Sequence, residues 1–159
     1  GLLCGLMLTK VEKCEDVTIT DINAKRLEQS KRSCSAKTLI ADDPAIKENS
    51  YDIVIDCVGF EITRKKSIHI IQPGGLIIHI GLSEDAGSFD FRKMTLQEVN
   101  IIGTYCYTNK DFKETINILK DKKIGDLSWV EFRPLRDGAQ AFKEIHDGTC
   151  IAPKIVLIP

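Results

Sequence analysis

The sequence of 159 residues lacks any apolar run close to the roughly 18 residues that a helix needs to span a bilayer. It also lacks an excess of charge of one sign, because 22 basic and 23 acidic residues leave a formal net charge of −1. Nucleic-acid binding requires a basic surface, which this balance does not supply. We therefore expect neither a membrane nor a nucleic acid among the partners of the protein.

Paired cysteines and a cysteine–histidine cluster are missing as well. None of the six cysteines belongs to a Cys-x-x-Cys pair, and none has a histidine at zinc-finger spacing. The cysteines therefore predict no metal site within this chain, and no residue of the chain is assigned a catalytic role. A free cysteine in an apolar strand or helix behaves as a small hydrophobe, so the cysteines indicate reduced thiols and a cytoplasmic location.

The apolar pattern alternates between segments of helical period and short strands rich in β-branched residues. Helices are predicted for residues 2–10, 24–33, 61–72, 94–99, 111–122 and 137–146, and strands for residues 17–20, 38–41, 52–58, 76–80, 100–102, 129–132 and 153–157. This alternation predicts an α/β fold with a Rossmann-like, doubly wound and mainly parallel sheet.

Two local features of these segments carry expectations of their own. Gly5 lies inside the first predicted helix, where a glycine costs about 1 kcal/mol, and close packing against a neighbour would explain it. Pro73-Gly74-Gly75 is expected to end the helix of residues 61–72.

Three predicted strands end near Asp21, Gly59 and Gly81. In doubly wound sheets, ligands bind outside the carboxyl ends of the strands. Asp21 lies 20 residues after Gly1, which precedes an apolar helix, and this spacing is typical of the acid that binds a ribose in dinucleotide folds. The two other glycines either let a ligand approach the backbone or only form turns. Together with Asp21, the three strand ends favour a binding site.

These segments, in this order, resemble the medium-chain, zinc-dependent alcohol and polyol dehydrogenases. The sorbitol, threonine and galactitol-phosphate dehydrogenases are the most similar branch. The matching segments are Gly1-Leu2-Leu3, Thr20-Asp21-Ile22-Asn23 with Arg26-Leu27, Asp52-Ile53-Val54-Ile55-Asp56-Cys57-Val58-Gly59, Pro73-Gly74-Gly75, Ile80-Gly81-Leu82, Ile101-Ile102-Gly103-Thr104-Tyr105, and Asp147-Gly148 through Ala152-Pro153-Lys154-Ile155-Val156-Leu157. The resemblance covers nearly the whole chain and implies hydride transfer from an alcohol or polyol to a nicotinamide cofactor.

The resemblance assigns the first group of cofactor-binding residues. Gly1 matches the last glycine of the G-x-G-x-x-G turn, whose helix N-terminus faces the pyrophosphate, and Leu2 follows at the same rim. Asp21, with Ile22 beside it, is expected to accept hydrogen bonds from the adenosine ribose, and Arg26 is expected to reach the same ribose. Because a carboxylate would repel a 2′-phosphate, the implied cofactor is NAD rather than NADP.

The other implied cofactor-binding residues lie where later strands end. Cys57, Val58 and Gly59 are expected to line the cleft for adenine and ribose. Ile80, Gly81 and Leu82 are expected near the nicotinamide ribose and ring. Thr104, Tyr105 and Cys106 stand where backbone groups of the family hold the carboxamide.

Three further expectations concern Cys106, the connection between the second and third strands, and the helix of residues 137–146. Cys106 departs from the family, because polyol dehydrogenases often carry an arginine there, and this argues against a sorbitol-like substrate. About ten residues separate Ala41 from Asp52, where the family has a full helix, so an irregular crossover is expected. In the helix of residues 137–146, Phe142 and Ile145 are expected to face inward.

The resemblance also implies parts that lie outside the sequence. Zinc ligands come from an N-terminal lobe that precedes the first dinucleotide glycine, and the sequence begins at that glycine. We therefore expect residues 1–105 to form an NAD(P)-binding Rossmann domain without its first strand. Residues 106–159 are expected to be a C-terminal segment that in the family packs back onto the catalytic lobe. The fragment alone is expected to be inactive. The parent is expected to bind zinc, to act on a small-molecule alcohol or polyol, and to form a homo-oligomer, either a dimer or a tetramer.

Two alternatives to the dehydrogenase stay open, and S-adenosylmethionine folds also bind a ribose through an acid at a strand end such as Asp21. One is a nucleotide-binding α/β module without hydride transfer, and the other is a domain similar to methyltransferases that use S-adenosylmethionine. The segment Ile102-Gly103-Thr104 and the tail of residues 153–157 favour the dehydrogenase. A short-chain dehydrogenase is disfavoured, because none of the three tyrosines is followed four residues later by the lysine of the Tyr-x-x-x-Lys motif.

Overall fold

The computed structural model describes all 159 residues. Its helices are α1 (Leu2–Leu6), α2 (Ala24–Ser33), α3 (Glu61–Ile70), α4 (Phe91–Leu96), α5 (Asn109–Lys120) and α6 (Gly138–His146). Its strands are β1 (Thr18–Asp21), β2 (Lys37–Ile40), β3 (Tyr51–Asp56), β4 (Ile71–His79), β5 (Asn100–Gly103), β6 (Val130–Pro134) and β7 (Lys154–Ile158). A π-helical turn, Met7–Val11, continues α1, and a 3₁₀ turn, Leu135–Asp137, precedes α6. None of the helices has the length and apolarity of a membrane span.

Helix α2 has the predicted bounds because a local cap begins it. The Oδ1 atom of Asn23 accepts hydrogen bonds from the backbone N–H groups of Lys25 (3.0 Å) and Arg26 (3.3 Å). These bonds satisfy two of the four donors that the start of a helix leaves open. Leu27 is buried at 7% exposure and anchors the helix.

All hydrogen-bonded strand pairs are parallel, which confirms the predicted mainly parallel α/β fold. The strands form three sheets in the orders β1-β2, β3-β4-β5 and β6-β7. No ladder joins β1 to β3, between which the resemblance places a further strand. The strands of residues 1–105 therefore form two separate sheets rather than one. Turns without a helix connect β2 to β3, which confirms the expected irregular crossover.

The chain forms two compact units. The Asp56 unit comprises Gly1 and Asp42–Thr108, and its core consists of Ile68, Ile71, Ile77 and Val99. The Asp21 unit comprises Leu2–Ala41 and Asn109–Pro159, and its core consists of Leu6, Cys34, Ala36 and Ile124.

The expectation that Pro73-Gly74-Gly75 ends helix α3 is wrong. The helix ends at Ile70, and Ile71 already pairs with Tyr51 of β3. The next pair joins Ile53 to Leu76, so residues 72–75 of β4 stand opposite the single residue Asp52. The Pro-Gly-Gly segment is therefore a bulge within β4, which suits a proline without an N–H and a Gly74 at φ +75°.

The expectation that Phe142 and Ile145 of α6 face inward is also wrong. These side chains are 73% and 51% exposed, whereas Gly138 and Ala141 are buried. A Cβ atom at Gly138 would lie 3.0 Å from Cδ1 of Leu157 in β7. The helix therefore packs through its small residues, and its larger apolar residues lie outward.

An arginine joins α6 to the neighbouring sheet. The Nε atom of Arg133 in β6 lies 2.6 Å from Glu131, and its Nη1 atom lies 2.8 Å from Glu144 in α6. Hydrogen bonds with Glu131 and Glu144 raise the pKa of the Arg133 guanidinium above its ordinary value. The side chain of Arg133 is only 18% exposed, which reduces the screening of this pair by solvent.

The close packing expected at Gly5 is confirmed in the Asp21 unit. A Cβ atom at Gly5 would lie 2.4 Å from Cδ1 and 3.2 Å from Cγ1 of Ile19 in β1. Helix α1 therefore approaches β1 at a distance that only a residue without a side chain permits.

We predict that Gly5→Val lowers the free energy of unfolding by about 1–3 kcal/mol, the usual cost of overpacking a well-filled interior. The same substitution in an Ile19→Ala background should cost less, because the atoms that the introduced valine side chain would meet are gone. Urea unfolding of the four proteins of this double-mutant cycle measures the difference. Equal costs in the two backgrounds would contradict the contact.

Candidate functional site

Asp21 is the last residue of β1, at the carboxyl end of the β1-β2 sheet. One carboxylate oxygen, Oδ1, accepts a hydrogen bond from the backbone N–H of Asn23 at 2.8 Å. The other oxygen has no partner within the chain, so it is open to a ligand. The N-terminus of α2 lies directly after this turn, capped by Asn23.

The two residues that the sequence groups with Asp21 differ in their surroundings. Ile22 is 86% exposed beside a shallow cavity of about 600 Å³, which residues 22–25 line together with Gly148, Thr149 and Ile151. Arg26 is half-buried, and its Nη2 atom donates a weak hydrogen bond of 3.4 Å to the carbonyl of Cys150. Both side chains therefore stand at one end of the β1-β2 sheet with Asp21.

Gly59 and Gly81 meet in the Asp56 unit, just beyond the carboxyl ends of β3 and β4. A Cβ atom at Gly59 would lie 2.2 Å from the carbonyl oxygen of Gly81, and one at Gly81 would lie 2.1 Å from the carbonyl carbon of Val58. Gly59 also has a φ of +80°, which disfavours any other residue. Close approach of two backbone segments therefore requires both glycines, whether or not a ligand is bound.

Asp56 holds this contact together. Its Oδ1 atom accepts hydrogen bonds from the N–H groups of Val58 and Gly59, both at 2.9 Å, and its Oδ2 atom accepts one from the hydroxyl of Thr63 at 2.9 Å. Its backbone carbonyl accepts the N–H groups of Ile80 (2.9 Å) and Gly81 (3.0 Å). Asp56 is 4% exposed. Its carboxylate is therefore a structural acceptor rather than a group that is free for a ligand.

His79 lies beside this carboxylate at the end of β4. Its Nε2 atom is buried without a hydrogen-bond partner and stands 3.8 Å from Oδ2 of Asp56, too far for a hydrogen bond. Its backbone carbonyl accepts the N–H of Thr104 at 3.0 Å, which joins the end of β4 to the residue after β5.

A set of side chains on α3 holds the loop of residues 82–88 that follows Gly81. Arg64 donates hydrogen bonds to the carbonyls of Gly59, Glu84 and Ala86. Oε2 of Glu84 accepts the N–H of Glu61 at 2.6 Å. The loop is therefore bonded to the first turns of α3.

Glu61 also binds Ser88, the last residue of this loop. Lys65 donates a hydrogen bond of 2.5 Å to Oε1 of Glu61, and Ser88 donates one of 2.6 Å to the same atom. These two hydrogen bonds lower the pKa of Glu61 from its ordinary 4.5 to about 2, and the bond from Lys65 makes the larger contribution.

The remaining residues expected to bind a cofactor differ in their exposure. Gly1, Leu82, Thr104, Tyr105 and Cys106 are exposed, with Leu82 at 74% and Tyr105 at 84%. A Cβ atom at Gly1 would meet nothing within 4 Å, so the position does not demand glycine for packing within this chain. Four residues are partly buried or flank the glycine contact: Leu2, Cys57, Val58 and Ile80.

The sequence reasoning missed Asp56, Thr63, Arg64 and Glu84 as organising residues. A signal for Asp56 was present, because an acid three residues before a glycine at a strand end is typical of a side chain that caps its own turn. Arg64 gave no such signal, since the carbonyls that it binds lie up to 22 residues away in the sequence.

The described chain contains no group of three or more His, Cys, Asp or Glu side chains that is suited to hold a metal ion. The residues present therefore do not fit zinc. Asp21 supplies instead one carboxylate oxygen without a partner in the chain, at the carboxyl end of a parallel strand, which is where ligands bind in doubly wound sheets.

Parallel strands joined by helices, with their glycine turns and Asp21 at the strand ends, define the α/β class of Rossmann-like proteins. The model of the zinc-binding dehydrogenase family matches residues 3–121. The chain belongs to this family, which confirms the resemblance in the sequence.

Known relatives and structures agree with this membership. D-xylulose reductase A of Aspergillus oryzae is 26% identical over 161 aligned residues, and the D-xylulose reductase of Saccharomyces cerevisiae is 22% identical over 157. The structure of acetophenone reductase from Geotrichum candidum, in complex with NAD, superposes with a TM-score of 0.82 at 21% identity over 98% of this chain. L-idonate 5-dehydrogenase of Escherichia coli gives a TM-score of 0.82 at 17% identity over 97% of this chain. At these identities the two structures show the fold.

The chain spans about half the length of the proteins that it matches. It aligns over 93% of its own length with 45% of the Aspergillus oryzae reductase, and over 91% with 44% of the yeast reductase. It covers 45% of the acetophenone reductase and 46% of the L-idonate 5-dehydrogenase.

We predict that Glu61→Gln reduces the acid sensitivity of the fold. The pKa of Glu61 is depressed in the folded state, so the unfolded state binds more protons between about pH 2 and 4.5, and stability is lost as the pH falls through this window. Chemical unfolding across pH 2–6 should give a flatter profile for the variant than for the wild type. Glu15→Gln, at an exposed position, controls for the change in net charge. Parallel profiles for the wild type and Glu61→Gln would refute the assignment.

Proposed function

We propose that the chain is the NAD-binding part of a zinc-dependent dehydrogenase that oxidises an alcohol or polyol. The family match over residues 3–121 is the observation that carries this proposal. The fold supports it, because the strand ends that bind ligands in doubly wound sheets are the ends that carry Asp21, Gly59 and Gly81.

The residues at the end of β1 fit the adenosine half of NAD. Asp21 keeps one carboxylate oxygen open for the ribose hydroxyls. Arg26 donates a long and therefore weak hydrogen bond of 3.4 Å to the carbonyl of Cys150, which a ligand can replace. Ile22 offers an exposed apolar surface for the adenine ring. A negative charge at Asp21 opposes the 2′-phosphate of NADP, so NAD is the cofactor that we propose.

The residues of the Asp56 unit are assigned to both halves of the cofactor. Residues 57–59 contact adenine and ribose, residues 80–82 the nicotinamide ribose and ring, and residues 104–106 the carboxamide through their backbone. When NAD is bound, its nicotinamide ring supplies the acceptor for the hydride. The chain's own contribution is to bind and orient that ring.

Zinc and the substrate belong to the whole protein in this proposal. No residues of this chain fit a zinc site, and the relatives are about twice as long, so we assign the metal and the chemistry on the alcohol to residues outside these 159. The relatives named D-xylulose reductase favour a polyol or its ketose as substrate.

We further propose the domain division at residues 105 and 106, with residues 106–159 packing onto a catalytic lobe. The Asp21 unit exposes apolar side chains that have no cover within it: Phe132 at 60%, Leu135 at 59%, Phe142 at 73%, Ile145 at 51% and Ile158 at 48%. A surface of this kind is typical of an interface.

We predict that Asp21→Ala weakens NADH binding by roughly 10- to 100-fold, because a hydrogen bond to a charged group contributes about 1.5–3 kcal/mol. Isothermal titration with NADH measures the loss. Asp16→Ala, which removes an exposed carboxylate just before β1, is the matched control and should bind as the wild type does. A wild-type chain that binds S-adenosylmethionine but neither NADH nor NAD would instead support the methyltransferase alternative.

We also predict that the protein forms a homo-oligomer through β5. This strand is the edge of the β3-β4-β5 sheet, all four of its residues are exposed, and Ile101 and Ile102 are 42% and 52% exposed. An unprotected apolar edge strand pairs readily with another chain.

Light scattering during gel filtration tests the oligomer. A mass of about twice the 17.8 kDa of the chain is expected, and Ile102→Lys should shift it towards the monomer. Ile62→Lys, at a 73% exposed position on α3, should not. A wild-type mass of one chain at micromolar concentration would contradict the proposal.

A further inference from the structure

We propose that Arg64 is a positioning residue that holds the loop of residues 82–88 in the geometry required by the nicotinamide half of the cofactor. This inference rests on the proposed function, because it takes residues 80–82 to contact the nicotinamide. Within the site assigned to NAD, Arg64 contacts only the backbone carbonyl of Gly59, which Asp56 also holds in place, and it acts on residues 80–82 through the loop.

The contacts of Arg64 are made almost entirely with backbone. Its Nη1 atom donates to the carbonyls of Gly59 (2.8 Å) and Glu84 (3.2 Å), and its Nη2 atom donates to the carbonyl of Ala86 (2.5 Å). The side chain is 15% exposed, although it begins on a surface helix. A planar guanidinium with five fixed donors can satisfy three carbonyls at once, which the single ammonium of a lysine does less well.

Gly87 and Glu84 of the same loop lie close to the guanidinium of Arg64. A Cβ atom at Gly87 would lie 2.6 Å from Nη2 of Arg64, and φ at Gly87 is +147°. Oε2 of Glu84 lies 3.6 Å from Nη2 and accepts the N–H of Glu61. Arg64 therefore binds the loop through the carbonyls of Glu84 and Ala86, while Glu61 binds it through Glu84 and Ser88.

The start of the loop is held without Arg64. Asp56 fixes the Gly59 turn and the N–H of Gly81, and the N–H of Ser83 donates to the carbonyl of Val58 at 3.2 Å. Loss of Arg64 should therefore leave the ends of β3 and β4 in place and loosen residues 84–88, which keep the bond from the N–H of Glu84 to the carbonyl of Gly59 (3.2 Å) and the contacts of Glu84 and Ser88 with Glu61. Leu82, 74% exposed, lies between the part that Asp56 holds and the part that Arg64 holds.

Binding of NADH and of ADP to the wild type and to Arg64→Met tests the proposal. ADP carries the adenosine half and the pyrophosphate but no nicotinamide. Fluorescence of the bound reduced nicotinamide reports NADH binding, and titration calorimetry reports ADP binding. We expect Arg64→Met to weaken NADH about tenfold, because the loop must then be ordered on binding, and to leave ADP affinity within about twofold of the wild type.

Three further measurements separate positioning from a general structural role. Hydrogen exchange should rise in residues 84–88 of Arg64→Met and not in β3 or β4. Arg64→Lys should recover only part of the NADH affinity. Arg92→Met, which removes an exposed arginine of α4, is the matched control and should bind both ligands as the wild type does.

The possible outcomes distinguish a failure of the inference about Arg64 from a failure of the proposed function. An unchanged NADH affinity in Arg64→Met overturns the inference while leaving the proposed function intact. Equal losses of NADH and ADP overturn it as well, because they assign Arg64 to the stability of the whole unit. A wild-type chain that binds neither ligand refutes the proposed function, and the inference falls with it.

Discussion

The contact between Gly59 and Gly81 is the constraint on which the Asp56 unit depends. Each glycine leaves no room for a side chain, because a Cβ atom would stand 2.2 Å or 2.1 Å from backbone atoms of the other segment. The buried carboxylate of Asp56 binds two N–H groups beside this contact, and its carbonyl binds two more. Buried polar groups are costly when left without partners, so these bonds and the two glycines depend on one another. Separation of the two strand ends would break the bonds from Ile80 and Gly81 to the carbonyl of Asp56, whereas the bonds of Val58 and Gly59 to its carboxylate lie within one turn.

Asp21 and Asp56 show how burial divides the roles of two similar acids. Both are the last residue of a parallel strand, and both accept a hydrogen bond from the backbone of the turn that follows. Asp56 is 4% exposed, and both of its carboxylate oxygens are occupied. Asp21 is less buried and keeps one oxygen open. Of the two strand-end acids, only Asp21 therefore keeps a carboxylate oxygen without a partner in the chain, as the proposed contact with a ribose requires.

Local signals in the sequence predicted part of the fold well. The cap residue Asn23 sets the start of α2, and the β-branched runs set β3 and β5, because these preferences act within a few residues. Pro73-Gly74-Gly75 was misread as a helix stop, since pairing with β3 draws it into a strand as a bulge. Phe142 was misread as a core residue, because the apolar period of a helix does not reveal which part of its surface finds a partner.

The sequence by itself determined the order of helices and strands, their parallel arrangement, the family and the acid at Asp21. The order of elements and their parallel arrangement follow from periodicity and turn residues, Asp21 follows from its spacing after Gly1, and the family follows from the resemblance of short segments to known dehydrogenases. Only the tertiary structure decided that Gly59 and Gly81 permit close contact between two backbone segments, and that the carboxylate of Asp56 is occupied by hydrogen bonds within the chain. It also decided that Arg64 binds carbonyl groups of the loop after Gly81. Those roles come from hydrogen bonds to carbonyl groups and from close approach between distant segments. Every residue has a carbonyl, so no pattern of side chains marks the ones that will be used.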